Sequence, residues 1–168
     1  MGMTASYMEV TEAFIEELKV NSTAETNHLL ERLYTDSTKE VCHLDKMWAI
    51  FHYFLTGVSV FHILTNCQME NCLLSEAVVG SDGQTEGISW IIPERVKEIA
   101  DMLATIDEEK QWNDFSMEEF AESDIYMMGQ IDVSEADMRQ ELLDIFKEFK
   151  EFYHNVASKR NGVVIMLG

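Results

Sequence analysis

Apolar and polar positions alternate from Thr4 to Val10, with Ala5, Tyr7 and Glu9 on one side and Met8 and Val10 on the other, which predicts a strand. Thr11 stands where it caps a short helix through Leu18, with Phe14, Ile15 and Leu18 as its apolar stripe. Ser22-Thr23-Ala24-Glu25 has capping-box spacing and opens a helix carrying Leu29, Leu30 and Leu33. Asp45 is placed to cap the next helix, and Gly57 to end it in a left-handed conformation. Between them Met47, Trp48, Ile50, Phe51, Phe54 and Leu55 cover most of the circumference, as on a helix buried between other elements. That segment is predicted to be the core.

The apolar run Val58 to Leu64 fits further helix or a strand, with helix favoured, and Leu73 to Val79 reads as a short helix or turn before a loop from Gly80 to Gly87. Ile88 to Ile91 predicts a second strand, and Pro93 takes the first position of a helix whose face is Val96, Ile99, Ala100, Leu103 and Ile106. Ser116 opens another capping box. Ser134 caps the longest helix, on which Met138, Leu142, Ile145, Phe149, Phe152 and Val156 recur by threes and fours. Asn161-Gly162 breaks it, and Val163 to Leu167 closes the chain as a strand. Short strands separated by helices predict an α+β fold, mostly helical, with a small sheet that takes strands from both termini.

Charge changes the picture more than composition does. The 168 residues are 46% hydrophobic and carry a net charge of −19; residues 101–151 alone hold 16 Asp and Glu against 4 Lys and Arg, a balance of −12. Such a charge repels nucleic-acid phosphates and anionic membrane surfaces, so neither is an expected partner; a basic protein is. A domain of this size buries about 70% of its unfolded surface and needs no metal or disulfide staple. Cys42, Cys67 and Cys72 form no dense pattern, which predicts reduced thiols and a cytoplasmic setting. No basic region precedes an apolar stretch at the N-terminus, and no run of 18 apolar residues occurs.

Two stretches carry more specific information. Met1-Gly2-Met3 with Tyr7, and Leu44-Asp45-Lys46, Trp48, His52-Tyr53 and Leu55-Thr56-Gly57, resemble the start and central helix of the YfbM-like family, small bacterial proteins of known fold class and no assigned activity. Leu74-Ser75-Glu76-Ala77, the helix after Pro93, Ile125-Tyr126 and Phe152-Tyr153 add to the resemblance. It implies one α+β domain over residues 1–168 and a cytoplasmic setting, and supplies no catalytic residue. Met1-Gly2-Met3-Thr4-Ala5-Ser6 also fits a myristoylation pattern, but a buried strand from Thr4 explains those residues better.

Of the constellations that bear on chemistry, Asp45, Trp48 and His52 recur at three and four, on one face of the predicted central helix. With Tyr7, Trp90 and Tyr126 they define a candidate binding pocket in which His52 is the acid–base candidate, its ordinary pKa lying near neutrality. The competing structural reading is that Asp45 caps, Trp48 packs and His52 is a hydrogen-bonded core histidine. His62, Cys67 and Cys72 lack zinc-ligand spacing, so no metal is expected. An EF-hand loop from Asp107 would need glycine where Trp112 stands. No cofactor signature occurs. Two classes of function remain: a non-enzymatic interaction module, of immunity or inhibitor type for example, docking through its acidic C-terminal half; or a small-molecule-binding domain or enzyme built on the Trp48–His52 face.

Overall fold

A computed structural model of the chain describes residues 3–20, 23–59, 69–80, 82–85, 87–122 and 134–168. Among them the order is β1 (Ala5–Val10), α1 (Glu12–Val20), α2 (Thr23–Thr35), β2 (Val41–Asp45), α3 (Trp48–Thr56), α4 (Met69–Val79), β3 (Asp82–Thr85), β4 (Ile88–Ile91), α5 (Pro93–Thr105), α6 (Glu108–Asp114), α7 (Met117–Glu122), α8 (Glu135–Ser158) and β5 (Gly162–Leu167). The strands form one antiparallel sheet in the order β2-β1-β5-β4-β3. Both chain ends therefore lie side by side at its centre, and Thr4 and Gly168 exchange backbone hydrogen bonds of 2.7 and 3.1 Å. The fold is α+β and mostly helical, with terminal strands in a small sheet.

Period-two alternation divides the sheet into two buried faces. Tyr7, Ile165 and Ser89 stand in one register row, and Met8, Val164 and Trp90 in the next. The first face, with Ala5, Tyr7, Cys42, Leu44, Ile91, Val163 and Ile165, packs on α3, α4, α5 and α8. The second, with Met8, Val10, Ile88, Trp90 and Val164, is covered by Ile15 and Leu18 of α1 and Leu29 and Leu33 of α2.

The core helix is where the apolar pattern puts it. Trp48 to His52, Phe54 and Leu55 are buried, and Gly57 ends α3 at φ 68° with its N–H donating to Tyr53 O at 2.7 Å. In α8, Ser134 Oγ accepts from Asp137 N and Met138, Leu142, Phe149, Phe152 and Val156 face inward as predicted; Phe146 and Tyr153 are buried as well, and Ile145 only partly. Ser116 Oγ likewise accepts from Glu119 N at 3.2 Å, and Thr11 Oγ1 from Phe14 N at 3.3 Å.

Three local expectations are corrected, one strand is added, and one predicted segment lies mostly outside the described residues. Asp45 does not cap α3: it ends β2 at φ 42°, and Met47, the cap residue, makes no side-chain capping hydrogen bond. β2 itself was not predicted, because its five residues bury only Cys42 and Leu44 and read too briefly as alternation. The Gly80–Gly87 loop contains β3, which pairs with β4. The helix predicted from Val58 does not begin there, since α3 has ended at Thr56; residues 60–64 lie outside the described set, as does Ser22 of the first capping box. Finally, the thiols are not all reduced: Cys42 is free and buried, but Cys72 is disulfide-bonded.

Candidate functional site

His52 is 0% exposed, one helical turn beyond the buried Trp48. Its Nδ1 lies 3.1 Å from Val58 O and its Nε2 3.0 Å from Ser75 Oγ. A carbonyl oxygen only accepts, so Nδ1 carries the proton and donates, and Nε2 accepts from the Ser75 hydroxyl. The neutral ring thus has both nitrogens engaged. Burial pulls its pKa down to about 4, against a smaller upward pull from the Val58 hydrogen bond. The single Thr56 hydroxyl proton is shared between His52 O at 2.8 Å and Val58 O at 3.1 Å, so the imidazole is tied into the ending of α3.

The other candidate pocket residues are also committed to structure. Trp48 Nε1 donates to Met3 O at 3.2 Å, pinning the N-terminal segment to α3. Tyr7 and Tyr153 donate their hydroxyls to Val78 O at 2.8 Å and Ala77 O at 2.6 Å, satisfying carbonyls of the last turn of α4 that no helical N–H reaches. Burial holds both phenols well above the usual tyrosine pKa. Trp90 stands on the second face, with the sheet between it and Tyr7. Asp45 is exposed at the outer end of β2. Tyr126 lies outside the described residues. Tyr7, Trp48 and His52 share one core, then, but Trp90 and Asp45 do not join them.

Buried polar chemistry also fastens the sheet to α8. Glu9 is 2% exposed; Lys159 Nζ and Glu40 N each donate to it at 3.0 Å, and Asn161 Nδ2 donates to its other oxygen. Burial works to raise its pKa, but the hydrogen bonds from Glu40, Asn161 and Lys159 outweigh it and hold the carboxyl below the usual range. Among the described residues no group of three or more His, Cys, Asp and Glu is placed to hold a metal ion. No helix among them is long and apolar enough to cross a membrane.

The solvent side of α8 has the opposite character. Asp137, Glu141, Asp144, Glu148 and Glu151 are all exposed and step by four and three, so they form one stripe about 21 Å long. Neighbouring acids are neutralised: Glu109 pairs with Arg139, Asp114 with Lys110, and Glu108 with Lys150 at 3.7 Å. The five stripe carboxylates form no ion pair among the described residues. At its C-terminal end the stripe meets β2, and a groove of about 320 Å³ runs between Glu40, Val41 and His43 on one side and Glu148, Glu151 and Asn155 on the other. The charge of this region was legible in the sequence. Its concentration into a stripe was available from the three-and-four spacing, whereas the β2 wall was not, since β2 went unpredicted.

A family model described as "Domain of unknown function (DUF1877)" matches residues 1–166. The crystal structure of YfbM from Escherichia coli, a protein of unknown function, is similar in fold, with a TM-score of 0.75 and 21% identity over 98% of this chain and 99% of that one. The resemblance read from the two sequence stretches is thereby borne out. No curated protein matches the chain.

Proposed function

The chain belongs to the DUF1877 family of domains of unknown function, and from that premise we propose that it is a non-enzymatic interaction module whose acidic α8 face docks on a basic protein partner. The single observation that carries this reading is the carboxylate stripe from Asp137 to Glu151 on a well-anchored helix, which forms no ion pair among the described residues. Side chains already ion-paired would have to be released before they met a partner; these do not. Like charges on one rigid face steer an oppositely charged partner and make association depend on salt. An immunity or inhibitor protein that covers a basic enzyme is one concrete form of the proposal; a bacterial cytoplasmic setting rests on the family resemblance alone, because the disulfide-bonded Cys72 removes the support of reduced thiols.

The alternative is a small-molecule site or active site at Tyr7, Asp45, Trp48, His52, Trp90 and Tyr126. Against it stand the two engaged nitrogens of His52, which leave no lone pair for a general base. Native mass spectrometry of protein purified from its host at low salt separates the two. We expect a basic protein to be retained, to leave as salt rises, and to be absent from the variant Glu141→Gln/Asp144→Asn/Glu148→Gln/Glu151→Gln. A control with Glu12→Gln, Glu17→Gln and Glu31→Gln removes three charges elsewhere and should retain it. Retention of a small molecule, lost on His52→Ala in a folded protein, would carry the alternative instead.

A further inference from the structure

We propose that the outer edge of β2, with the groove between β2 and α8, receives an extended basic segment of a partner protein as a sixth strand of the sheet. The proposal rests on the acidic-docking reading and gives it a binding mode. Among the described residues β2 is an end strand, paired with β1 alone. Glu40 turns its carbonyl inward to accept from Glu9 N at 2.9 Å, so by the period of two the N–H and C=O groups of Val41 and His43 face away from β1. No described backbone group bonds to them there. End strands are usually blunted by lysine, proline or a covering element. β2 has neither residue, and Val41 is 42% exposed; among the described residues the turn at Asp45 closes one end.

Charge fixes the occupant. The far wall of the groove carries Glu148 and Glu151, and Glu40 lies at the near wall, held partly by Lys159 at 3.2 Å. A second copy of this chain would bring its own Glu148 and Glu151 against these in a β2–β2 pairing, and each copy has a charge of −19. A basic segment meets no such repulsion. Side chains of an added strand that point toward α8 are about 6.8 Å apart, at every second residue. Glu148 and Glu151, three apart on a helix, are about 5–6 Å apart. Lys or Arg at alternate positions of the partner therefore reaches both carboxylates while its backbone bonds to Val41 and His43.

The probe is a ten-residue peptide alternating lysine with threonine or valine, compared with a same-composition isomer that has all its lysines in one half. Fluorescence anisotropy at 50 and 300 mM salt should show the alternating peptide binding at least tenfold tighter, with the amide signals of Val41 and His43 shifting in NMR spectra. Val41→Pro removes an outward N–H without touching the β1 ladder and should cost tenfold or more. A wild-type experiment guards against misfolding of that variant: of two peptides N-methylated at alternate residues, in opposite registers, one should lose binding. Equal binding of both lysine isomers, weakened by Glu148→Gln/Glu151→Gln but indifferent to N-methylation, would overturn strand addition and leave acidic docking standing. No binding of any peptide at 50 mM salt would overturn strand addition, while the α8-neutralised variant in the host experiment decides separately on the docking face.

Discussion

At the scale of single residues, His52 shows how burial decides between chemistry and structure. The unfolded imidazole takes up a proton near pH 6.5, the folded one only near pH 4. Between those values unfolding absorbs a proton, so stability is fully present above pH 6.5 and is lost as pH falls toward 4, by up to about 3 kcal/mol. Urea unfolding followed from pH 7 to pH 4.5 should show this slope. His52→Gln should flatten it while lowering stability at pH 7 by roughly 1–3 kcal/mol through the hydrogen bonds it loses. An unchanged slope would mean that another group is responsible. The three-and-four spacing correctly placed Trp48 and His52 on one helix. It wrongly extended that helix to Asp45, because a capping side chain and a strand-ending aspartate with φ 42° look alike in sequence.

At the scale of elements, long periodic segments were legible and short ones were not. α8, with 24 residues, and α5, with 13, repeat their apolar positions often enough to define a face. β2 and β3, with five and four residues, exist because neighbouring strands offer them hydrogen bonds. Gly162 was read correctly as a boundary but for an incomplete reason. The left-handed position after α8 is taken by Arg160, at φ 57°. Gly162 instead opens β5 where a Cβ would lie 2.5 Å from Ile15 Cδ1 and 2.7 Å from Ile91 O. Gly162→Ala must therefore push β5 from β4 or displace α1, costing about 1–3 kcal/mol. A calorimetric Tm lower by roughly 3–10 °C is the expected result. An unchanged Tm would show that the second face can yield.

At the scale of the whole molecule, β5 joins the two halves of the sheet. It lies between β1 and β4, and both its faces are buried through Val163, Val164 and Ile165. Deleting residues 162–168 separates the β1–β2 pair from the β3–β4 pair and uncovers both cores. The truncated chain should show no cooperative urea transition by circular dichroism; a transition within 1 kcal/mol of the full chain, a margin of about one hydrogen bond, would contradict this role. The acidic surface has the opposite role: its carboxylates stand on the solvent side of α8, exposed and outside the packed face, so neutralising them should leave the fold intact and change association. The sequence by itself determined the α+β class, the buried α3, the N-cap of α8, the terminal strands and the acidic balance, because each is written in local periodicity or simple counting. Only the tertiary structure decided that Trp90 faces away from Tyr7, that His52 is sealed by Ser75 and Val58, and that β2 forms an open edge beside Glu148 and Glu151. Those outcomes depend on strand order and on contacts between residues distant in the chain, which no local pattern encodes.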